Sequence, residues 1–402
     1  MCLIQEKTPM IETNRFLFAA EVGLDGCLQP VKGVICYALQ ALSAGFSGVC
    51  VSLDNLAELT ALCSFSQVSQ KNFKIFGFYH LKDVFNWIFH NHFPKGPVKI
   101  PAIFSKEFEK GISPDFSDMI LDEKMKKIAL AVAVGCHNAI IYGTPGCGKS
   151  MLSHRLNSIL PPMDPQEQIE SLKIHSSHTQ RISSALLKGR PPFRAPHHSA
   201  SAQALLGADN SPGDIALAHG GVLFLDELPE FRRDLLESLR EPLETGEVRI
   251  SRAKQKLTWK SQVILIAACN SCPCGWHGSK KRRCVCSVSQ IIAYRRRISG
   301  PVLDRIDLHV YVEESALAQS DLLLQLNETK EKKSEQKSLV EKVIKARKFS
   351  LARNKNFNLR SNRELRGQHL LAVSGLSRGD FRQLVGKNFS VTTSTRSLVR
   401  TL

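Results

Sequence analysis

The residues whose types and spacing most clearly indicate chemistry lie at 143–150, Gly-Thr-Pro-Gly-Cys-Gly-Lys-Ser. They follow the apolar run 138–142 and precede a helical stretch at 151–156. The pattern G-x-x-x-x-G-K-[ST] therefore stands between a strand and a helix, as in a P-loop. Its glycines let backbone N–H groups turn inward around phosphates, while Lys149 reaches the β- and γ-phosphates and the Ser150 hydroxyl binds Mg²⁺. The predicted nucleotide-binding residues are Gly143, Thr144, Pro145, Gly146, Cys147, Gly148, Lys149 and Ser150.

A second motif predicts hydrolysis as well as binding. The apolar run 222–225 ends in Asp226 and Glu227, the pattern of a Walker B strand. Asp226 would hold the Mg²⁺ ion through its water shell, and Glu227 would orient and polarise the attacking water. The acidic pair could instead cap the next helix. A third apolar run, 263–268, leads to Asn270, whose side chain would lie beside the γ-phosphate as a sensor residue.

Four of the twelve cysteines are close together in the sequence, at Cys272, Cys274, Cys284 and Cys286. Four thiolates in so short a segment can close a tetrahedral zinc site. The C-x-C spacing is tighter than the usual C-x₂₋₄-C, and a loop without metal is the alternative. The other cysteines are scattered, several of them in apolar stretches, and are expected to be small core residues of a reducing compartment.

Composition and charge limit the classes of protein. The chain has 402 residues, enough for two or three domains, and its content of hydrophobic residues, 43%, is typical of a globular protein. Its sequence has neither an apolar run long enough to span a bilayer nor a signal-peptide profile at the N-terminus. We therefore expect a cytoplasmic protein without membrane association. The net charge of +17 favours a polyanionic partner such as nucleic acid, with a solvated basic surface as the alternative.

The chain divides into segments of different pattern. Residues 1–95 predict a small α/β domain, 96–117 a linker, 118–312 the ATPase core, and 313–402 a C-terminal helical lid rich in Lys and Arg. In the first of these we expect strands near 16–18 and 48–52 and helices near 33–44 and 55–62. Within the core, the proline-dense segment 190–201 is expected to be a loop without regular structure. Alternating apolar and basic residues at 246–260 predict a β-hairpin.

Three longer motifs carry a family resemblance: 192–201 (Pro-Phe-Arg-Ala-Pro-His-His-Ser-Ala-Ser), 221–231 (Gly-Val-Leu-Phe-Leu-Asp-Glu-Leu-Pro-Glu-Phe) and 299–307 (Ser-Gly-Pro-Val-Leu-Asp-Arg-Ile-Asp). The chain resembles the ComM/YifB family, AAA+ ATPases related to the magnesium chelatase ATPase subunit and to the replicative MCM helicases. The cysteine segment also fits this family, and the resemblance covers about residues 15–402.

The resemblance implies a fold. A Lon-protease-like domain, of the ribosomal S5 domain 2-like type, precedes the AAA+ P-loop core and its helical lid in that family. Residues 15–95 resemble the second half of such a domain, so we expect it to be partial. By the same resemblance, we expect the family's last helix to be missing after Leu402.

The resemblance also implies an activity and further site residues. Such proteins form ATP-dependent hexameric rings that act as DNA helicases, driving branch migration when incoming DNA is integrated during natural transformation. Arg305 matches the arginine finger that reaches the γ-phosphate of the neighbouring subunit, with a salt bridge to Asp304 or Asp307 as the alternative. Arg396 matches the sensor 2 arginine of the lid, although it could be a simple exposed arginine. His197 and His198 could contact DNA or line the ring, with a structural role as the alternative.

Two other functions remain open at this point. The ATPase could remodel a protein partner, as a chelatase-type motor does, or the chain could be an inactive nucleotide-binding remnant. The DNA interpretation expects sequence-independent phosphate contacts from basic residues that face a ring pore, at Arg249, Arg252, Lys254 and Lys256. Further basic clusters lie at 280–283 and 295–297.

Overall fold

The computed structural model describes residues 11–62, 73–92, 114–118, 123–208, 211–252, 255–312 and 329–357. Lys254, Arg396 and most of the expected lid lie outside this part of the chain. The chain forms two compact units. The N-terminal unit comprises Met1–Gly111, Met163–Arg190 and Asp209–Pro212, and the core unit comprises Ile112–Pro162, Pro191–Ala208 and Gly213–Leu402.

The secondary structure of the described residues alternates between helices and strands. The strands are Phe16–Ala19, Glu21–Val22, Leu28–Gln29, Gly48–Ser52, Lys74–Phe78, Ala139–Gly143, Phe193–Arg194, Gly207–Ala208, Ser211–Pro212, Val222–Leu225, Glu247–Arg252, Gln255–Lys260, Ile264–Asn270 and Leu308–Val312. The α-helices are Val34–Ser43, Leu56–Leu62, Leu81–His90, Glu123–Gly135, Lys149–Leu156, Pro165–His178, Ser184–Leu187, Ala202–Leu206, Asp214–Leu217, Arg233–Ser238, Arg240–Thr245, Val288–Arg295, Gly300–Leu303 and Thr329–Asn354.

The N-terminal unit is built on a parallel sheet of three strands. Gly48–Ser52 is central and fully buried, between Phe16–Ala19 and Lys74–Phe78. The strands expected near 16–18 and 48–52 are confirmed, as are the helices expected near 33–44 and 55–62. The sequence analysis did not identify the third strand or the helix Leu81–His90 that follows it.

The segment 163–190 belongs to the N-terminal unit, although it lies within the 118–312 range that the sequence analysis gave to the ATPase core. Its helix Pro165–His178 begins with a capping box, in which the Asp164 side chain accepts from the N–H groups of Gln166 and Glu167. The backbone N–H of Gly33 donates to Ser176 O at 2.7 Å. Leu172 is fully buried and shares one apolar cluster with Val34 and Ile35.

The core unit contains a five-stranded parallel sheet that confirms the expected α/β, AAA+-like fold. The strand order is Leu308–Val312, Ala139–Gly143, Ile264–Asn270, Val222–Leu225, Phe193–Arg194. The carboxyl ends of parallel strands meet at one edge, which is where such sheets bind ligands. One expectation is wrong: Phe193–Arg194, in the segment expected to lack regular structure, forms the fifth strand, because these two residues, between Pro192 and Pro196, can pair with Val222–Leu223.

Two apolar clusters cover the faces of this sheet. Ile141 packs with Leu152 and Leu156 of the helix after the P-loop, while its neighbour Ile140 packs with Leu223 and Leu225. This alternation is the two-residue period of a strand buried on both faces. Leu339 and Val343, from the long helix Thr329–Asn354, belong to the first cluster.

Two further expectations concern local structure and membranes. The hairpin is confirmed: Glu247–Arg252 pairs antiparallel with Gln255–Lys260, and Arg252 lies opposite Gln255. Across the described ranges, we find no helix that has both the length and the apolar character needed to cross a membrane.

Candidate nucleotide-binding site

The loop 143–148 joins the strand Ala139–Gly143 to the helix Lys149–Leu156 and has the conformation that its glycines permit. Gly146 and Gly148 have φ of 79° and 85°, a left-handed region that other residues rarely adopt. Gly143 is restricted by space: a Cβ atom there would lie 2.6 Å from Cys147 Sγ and 2.7 Å from Val312 O. The loop therefore leads directly into the N-terminus of the helix Lys149–Leu156, the kind of position that can bind an anion.

Lys149 is held at the centre of this loop. Its ammonium donates to Gly143 O at 2.9 Å, to Thr144 O at 2.8 Å and to Asn270 Oδ1 at 3.2 Å. The residue is buried, so a fixed positive charge lies at the carboxyl ends of two neighbouring strands. The structure thus brings together the Lys149 and Asn270 side chains that the sequence analysis assigned to the γ-phosphate.

Ser150 and Asp226 also meet. The Ser150 hydroxyl donates to Asp226 Oδ2 at 2.8 Å, across the ends of two strands that are separated by Ile264–Asn270. A hydroxyl and a carboxylate oxygen at hydrogen-bond distance are oxygen donors of the kind Mg²⁺ prefers. Because Mg²⁺ keeps several of its waters, this donor set fits the ion that the motif predicts.

Glu227 follows the Walker B strand in an unusual backbone conformation, with φ 50° and ψ 47°. A non-glycine residue in the left-handed region costs roughly 1–2 kcal/mol, and such residues concentrate at functional sites. The carboxylate is half exposed and lies 3.5 Å from His198 Nδ1. His198, which the sequence analysis noted only as a possible DNA contact or a structural residue, is therefore a neighbour of the predicted base. The feature of the sequence that could have indicated this contact is the position of His198 in the proline-dense segment 190–201, just after the strand Phe193–Arg194.

Arg305 lies apart from these groups in the described chain. Its guanidinium donates to Arg240 O at 3.1 Å, to Pro301 O at 2.6 Å and to Glu244 Oε2 at 2.5 Å. The carboxylate that it contacts among these bonds is that of Glu244, whereas the alternatives considered from the sequence were Asp304 and Asp307. Arg305 lines an open cavity of about 520 Å³ that also contains Glu237, Glu241 and Arg249.

The four predicted cysteines form one cluster, with all sulfur atoms within 4.8 Å of one another. Cys272 Sγ lies 3.4 Å from Cys274 Sγ and 3.6 Å from Cys284 Sγ. Sulfurs at the corners of a Zn–S₄ tetrahedron, with bonds of about 2.3 Å, are separated by about 3.8 Å. The four residues therefore fit a zinc ion with little rearrangement. The N–H of His277 donates to Cys272 Sγ at 3.3 Å, the kind of secondary contact that orients a thiolate ligand.

The protonation of these thiols is uneven. Backbone N–H groups of Trp276 and Val285 lower the pKa of Cys274 to about 6. Backbone N–H groups also favour ionisation of Cys284 and Cys286, but desolvation and the neighbouring thiols outweigh them and raise the pKa of both. In this cluster one thiol ionises easily, whereas further ionisation is unfavourable. A bound cation would stabilise the additional thiolates.

The basic segments considered for DNA binding differ in their exposure and in their contacts with acidic side chains. In the hairpin, Arg249 and Lys260 both contact Glu247, Lys260 at 2.8 Å. Residues 280–283 are exposed, and the Arg282 guanidinium lies 5.2 Å from the centre of the Trp276 ring. Arg295–Arg297 are exposed too, with Arg297 paired to Glu230 at 2.9 Å. Most of this positive charge is therefore available at the surface.

Known proteins match this chain over the range that contains the site. Residues 115–320 match the family model described as "Magnesium chelatase, subunit ChlI", a range that includes the P-loop, the Walker B pair, Asn270, the cysteines and Arg305. This is about half of the chain.

Individual proteins match over a longer range. YifB of Escherichia coli (strain K12) is 35% identical over 305 residues, covering 74% of this chain and 56% of that protein. YifB of Salmonella typhimurium is 36% identical over 367 residues, covering 90% and 67%. The competence protein ComM of Haemophilus influenzae is 36% identical over 353 residues, covering 86% and 65%. The chain thus spans between about half and two thirds of the length of these relatives. On these matches, and on a P-loop sheet with the strand order given above, the chain belongs to the ComM/YifB family of magnesium chelatase-related AAA+ ATPases.

Proposed function

We propose that this chain is an ATP-dependent motor that acts on DNA as a homo-oligomeric, hexameric ring, in the manner of a helicase promoting branch migration during DNA uptake and recombination. The observation that carries the ATPase part is the bond between Ser150 and Asp226, since it joins the P-loop hydroxyl to the Walker B carboxylate at the place where Mg²⁺ would bind. Bound Mg²⁺ supplies charge neutralisation for the phosphates.

Phosphate binding and activation of the attacking water are assigned to the chain's own residues. The N–H groups of 143–150 and the Lys149 ammonium bind the phosphates, and Asn270 keeps Lys149 oriented. Glu227 orients and polarises the attacking water. The proposed nucleotide site thus combines Gly143 to Ser150 with Asp226, Glu227 and Asn270.

The ring is proposed because the described contacts of Arg305 all lie outside its own subunit's nucleotide site. Arg305 would act in trans on the neighbour's γ-phosphate, where a guanidinium stabilises the transition state. Arg396, in the C-terminal part that the structure does not describe, would contact the nucleotide as the sensor 2 residue. We further propose a partial Lon-like domain at 1–95, a linker at 96–117, a core at 118–312 that is interrupted by the segment 163–190 of the N-terminal unit, a lid at 313–402, and action in the cytoplasm.

DNA is the preferred partner because of charge. The chain has a net charge of +17, and its exposed clusters at 280–283 and 295–297 lie in the core unit. The name of the ComM relative, a competence protein, points the same way. The family description, magnesium chelatase, favours the second candidate, an ATPase that remodels a protein partner. An inactive remnant is the third.

ATPase assays with and without DNA separate the three functions. Stimulation by single-stranded or branched DNA supports the DNA motor, hydrolysis indifferent to DNA supports protein remodelling, and neither activity supports a remnant. The affinity for DNA should fall steeply with salt, by a log–log slope of roughly −0.7 to −0.9 per phosphate neutralised. Replacing Lys254 and Lys256 by Ala should reduce that slope while leaving DNA-free hydrolysis intact. Replacing Lys32 and Lys82 of the N-terminal unit is the matched control.

We also propose that Cys272, Cys274, Cys284 and Cys286 bind one zinc ion. Their sulfur–sulfur distances and the N–H contact from His277 support this, and the ion would hold the loop 272–286 closed.

A further inference from the structure

The cysteine loop is directly connected to the nucleotide site at one end. The strand Ile264–Asn270 delivers Asn270 to Lys149, and only Ser271 separates Asn270 from Cys272. Cys272 is fully buried. The first ligand of the thiol cluster is therefore anchored immediately beyond the side chain that contacts the P-loop lysine.

The same loop returns to the P-loop at a second point. After Cys272 the chain makes a tight turn, closed by the bond from Gly275 N to Cys272 O at 2.9 Å. Gly275 has φ 83°, and its backbone lies against the ring of Pro145, within the P-loop itself. A Cβ atom at Gly275 would lie 2.6 Å from Pro145 Cγ and 2.8 Å from Pro145 Cδ. Only glycine allows this approach.

We propose that the cysteine cluster positions the nucleotide-binding loop: by closing the turn Cys272–Gly275 it holds Gly275 against Pro145 and fixes Asn270 beside Lys149. The affinity for ATP then depends on an intact cluster, although none of its four cysteines contacts the nucleotide. This inference rests on the proposed nucleotide and metal sites and assigns a role to Gly275 that neither of them includes.

A neighbouring glycine provides a matched control. Gly278 lies in the same loop with φ 86°, so a side chain there is strained to a similar degree. Its Cβ atom would instead meet the Tyr311 hydroxyl, at 2.9 Å. Gly275→Ala and Gly278→Ala therefore differ mainly in whether Pro145 is displaced.

The test measures binding of a fluorescent ATP analogue with Mg²⁺, which needs no turnover, together with metal content and circular dichroism. We expect Gly275→Ala to weaken binding roughly tenfold, the lower end of what overpacking costs, and Gly278→Ala to have much less effect. Pro145→Ala, which removes the two ring atoms that the new Cβ would meet, should restore part of the affinity in the double variant. Cys284→Ser/Cys286→Ser should weaken binding in a folded protein.

The outcomes are distinguishable from failure of the other proposals. Equal effects of Gly275→Ala and Gly278→Ala, or no rescue by Pro145→Ala, would overturn the positioning role even if the protein binds ATP and zinc. Metal absent from the wild type, with the Gly275 effect and its rescue intact, would overturn the metal site but support the positioning contact. Wild-type protein that binds no nucleotide would overturn both the ATPase and this inference.

Discussion

The Ser150 hydroxyl and the Asp226 carboxylate are joined by a 2.8 Å hydrogen bond, although they are 76 positions apart in the sequence. The contact depends on the strand order, because Val222–Leu225 and Ala139–Gly143 both pair with Ile264–Asn270 and end at the same edge of the sheet. The sheet thus places the two oxygen donors of the proposed Mg²⁺ site before any ligand arrives.

Glu227→Gln should keep nucleotide affinity and lower hydrolysis by about 10²- to 10⁴-fold, since a general base contributes about that much and the amide cannot accept the proton. Steady-state turnover and equilibrium binding, measured on the same preparation, check this. Glu230→Gln, three residues away and paired with Arg297, is the matched control and should retain activity. A Gln variant at 227 that still turns over would show that the base lies elsewhere.

Lys149→Ala should act on binding first. The ammonium is buried and donates to Gly143, Thr144 and Asn270, so its removal deletes a phosphate contact and leaves Asn270 Oδ1 without this donor. Relative to wild type, we expect the variant to lose more affinity for ATP than for ADP, because the contact with the γ-phosphate is lost. Lys124→Ala, whose ammonium contacts only Tyr311 O among the bonds described, serves as the control.

Protein purified without chelators should contain about one zinc ion per chain. Elemental analysis measures it, and release of the ion by a thiol-modifying reagent can be followed with a colorimetric zinc indicator. Cys284→Ser/Cys286→Ser should lose the metal, whereas Cys27→Ser/Cys36→Ser, outside the cluster, should keep it. Zinc that persists in the first double variant would contradict the assignment of ligands.

Arg305→Ala and Glu227→Gln should each be nearly inactive alone and regain some hydrolysis when mixed. Mixed interfaces can pair the intact Arg305 of one chain with the intact Glu227 of the other. Arg232→Ala, an exposed arginine paired with Asp234, should remain active alone and needs no complement. Co-assembly without recovery would argue against a finger that acts in trans.

Glu58 should make the N-terminal unit less stable as the pH rises. Burial raises its pKa to about 7, against the N–H of Ile182 and the Ser176 hydroxyl, which donates at 3.3 Å. Between pH about 4.5 and about 7 the unfolded chain loses this proton while the folded chain keeps it, so the free energy of unfolding falls through that window and levels off above it. The total loss is on the order of 3 kcal/mol.

Unfolding by urea at pH 5 and pH 8, followed by Trp87 fluorescence with Trp259 and Trp276 replaced by Phe, measures this loss. Trp87 is buried in the N-terminal unit, so it reports on that unit. Glu58→Gln should reduce the difference between the two pH values. A difference that is unchanged in this variant would place the titrating group elsewhere.

The nucleotide site could be predicted from the sequence because its groups sit at fixed offsets from strand ends. Asp226 and Asn270 each follow a run of apolar residues, and a parallel sheet brings such positions to one edge. The contact of His198 with Glu227 could not be predicted, because it depends on a two-residue strand that pairs only with the assembled sheet. Local pattern likewise gave no sign that the helix Pro165–His178 packs with the N-terminal unit, since Leu172 shares its cluster with Val34 and Ile35, more than 130 residues earlier in the chain.

The three bonds of Arg305 to its own chain have a consequence for the proposed ring. Glu244 and a neighbour's γ-phosphate are both anions that would bind the same guanidinium, so they must compete for it. A subunit could then associate with its neighbour while Arg305 stays with Glu244, and transfer of the side chain would occur only where ATP is present across the interface. Exchange of the Arg305 side chain between these two anions would let each subunit detect whether the neighbouring subunit has ATP bound.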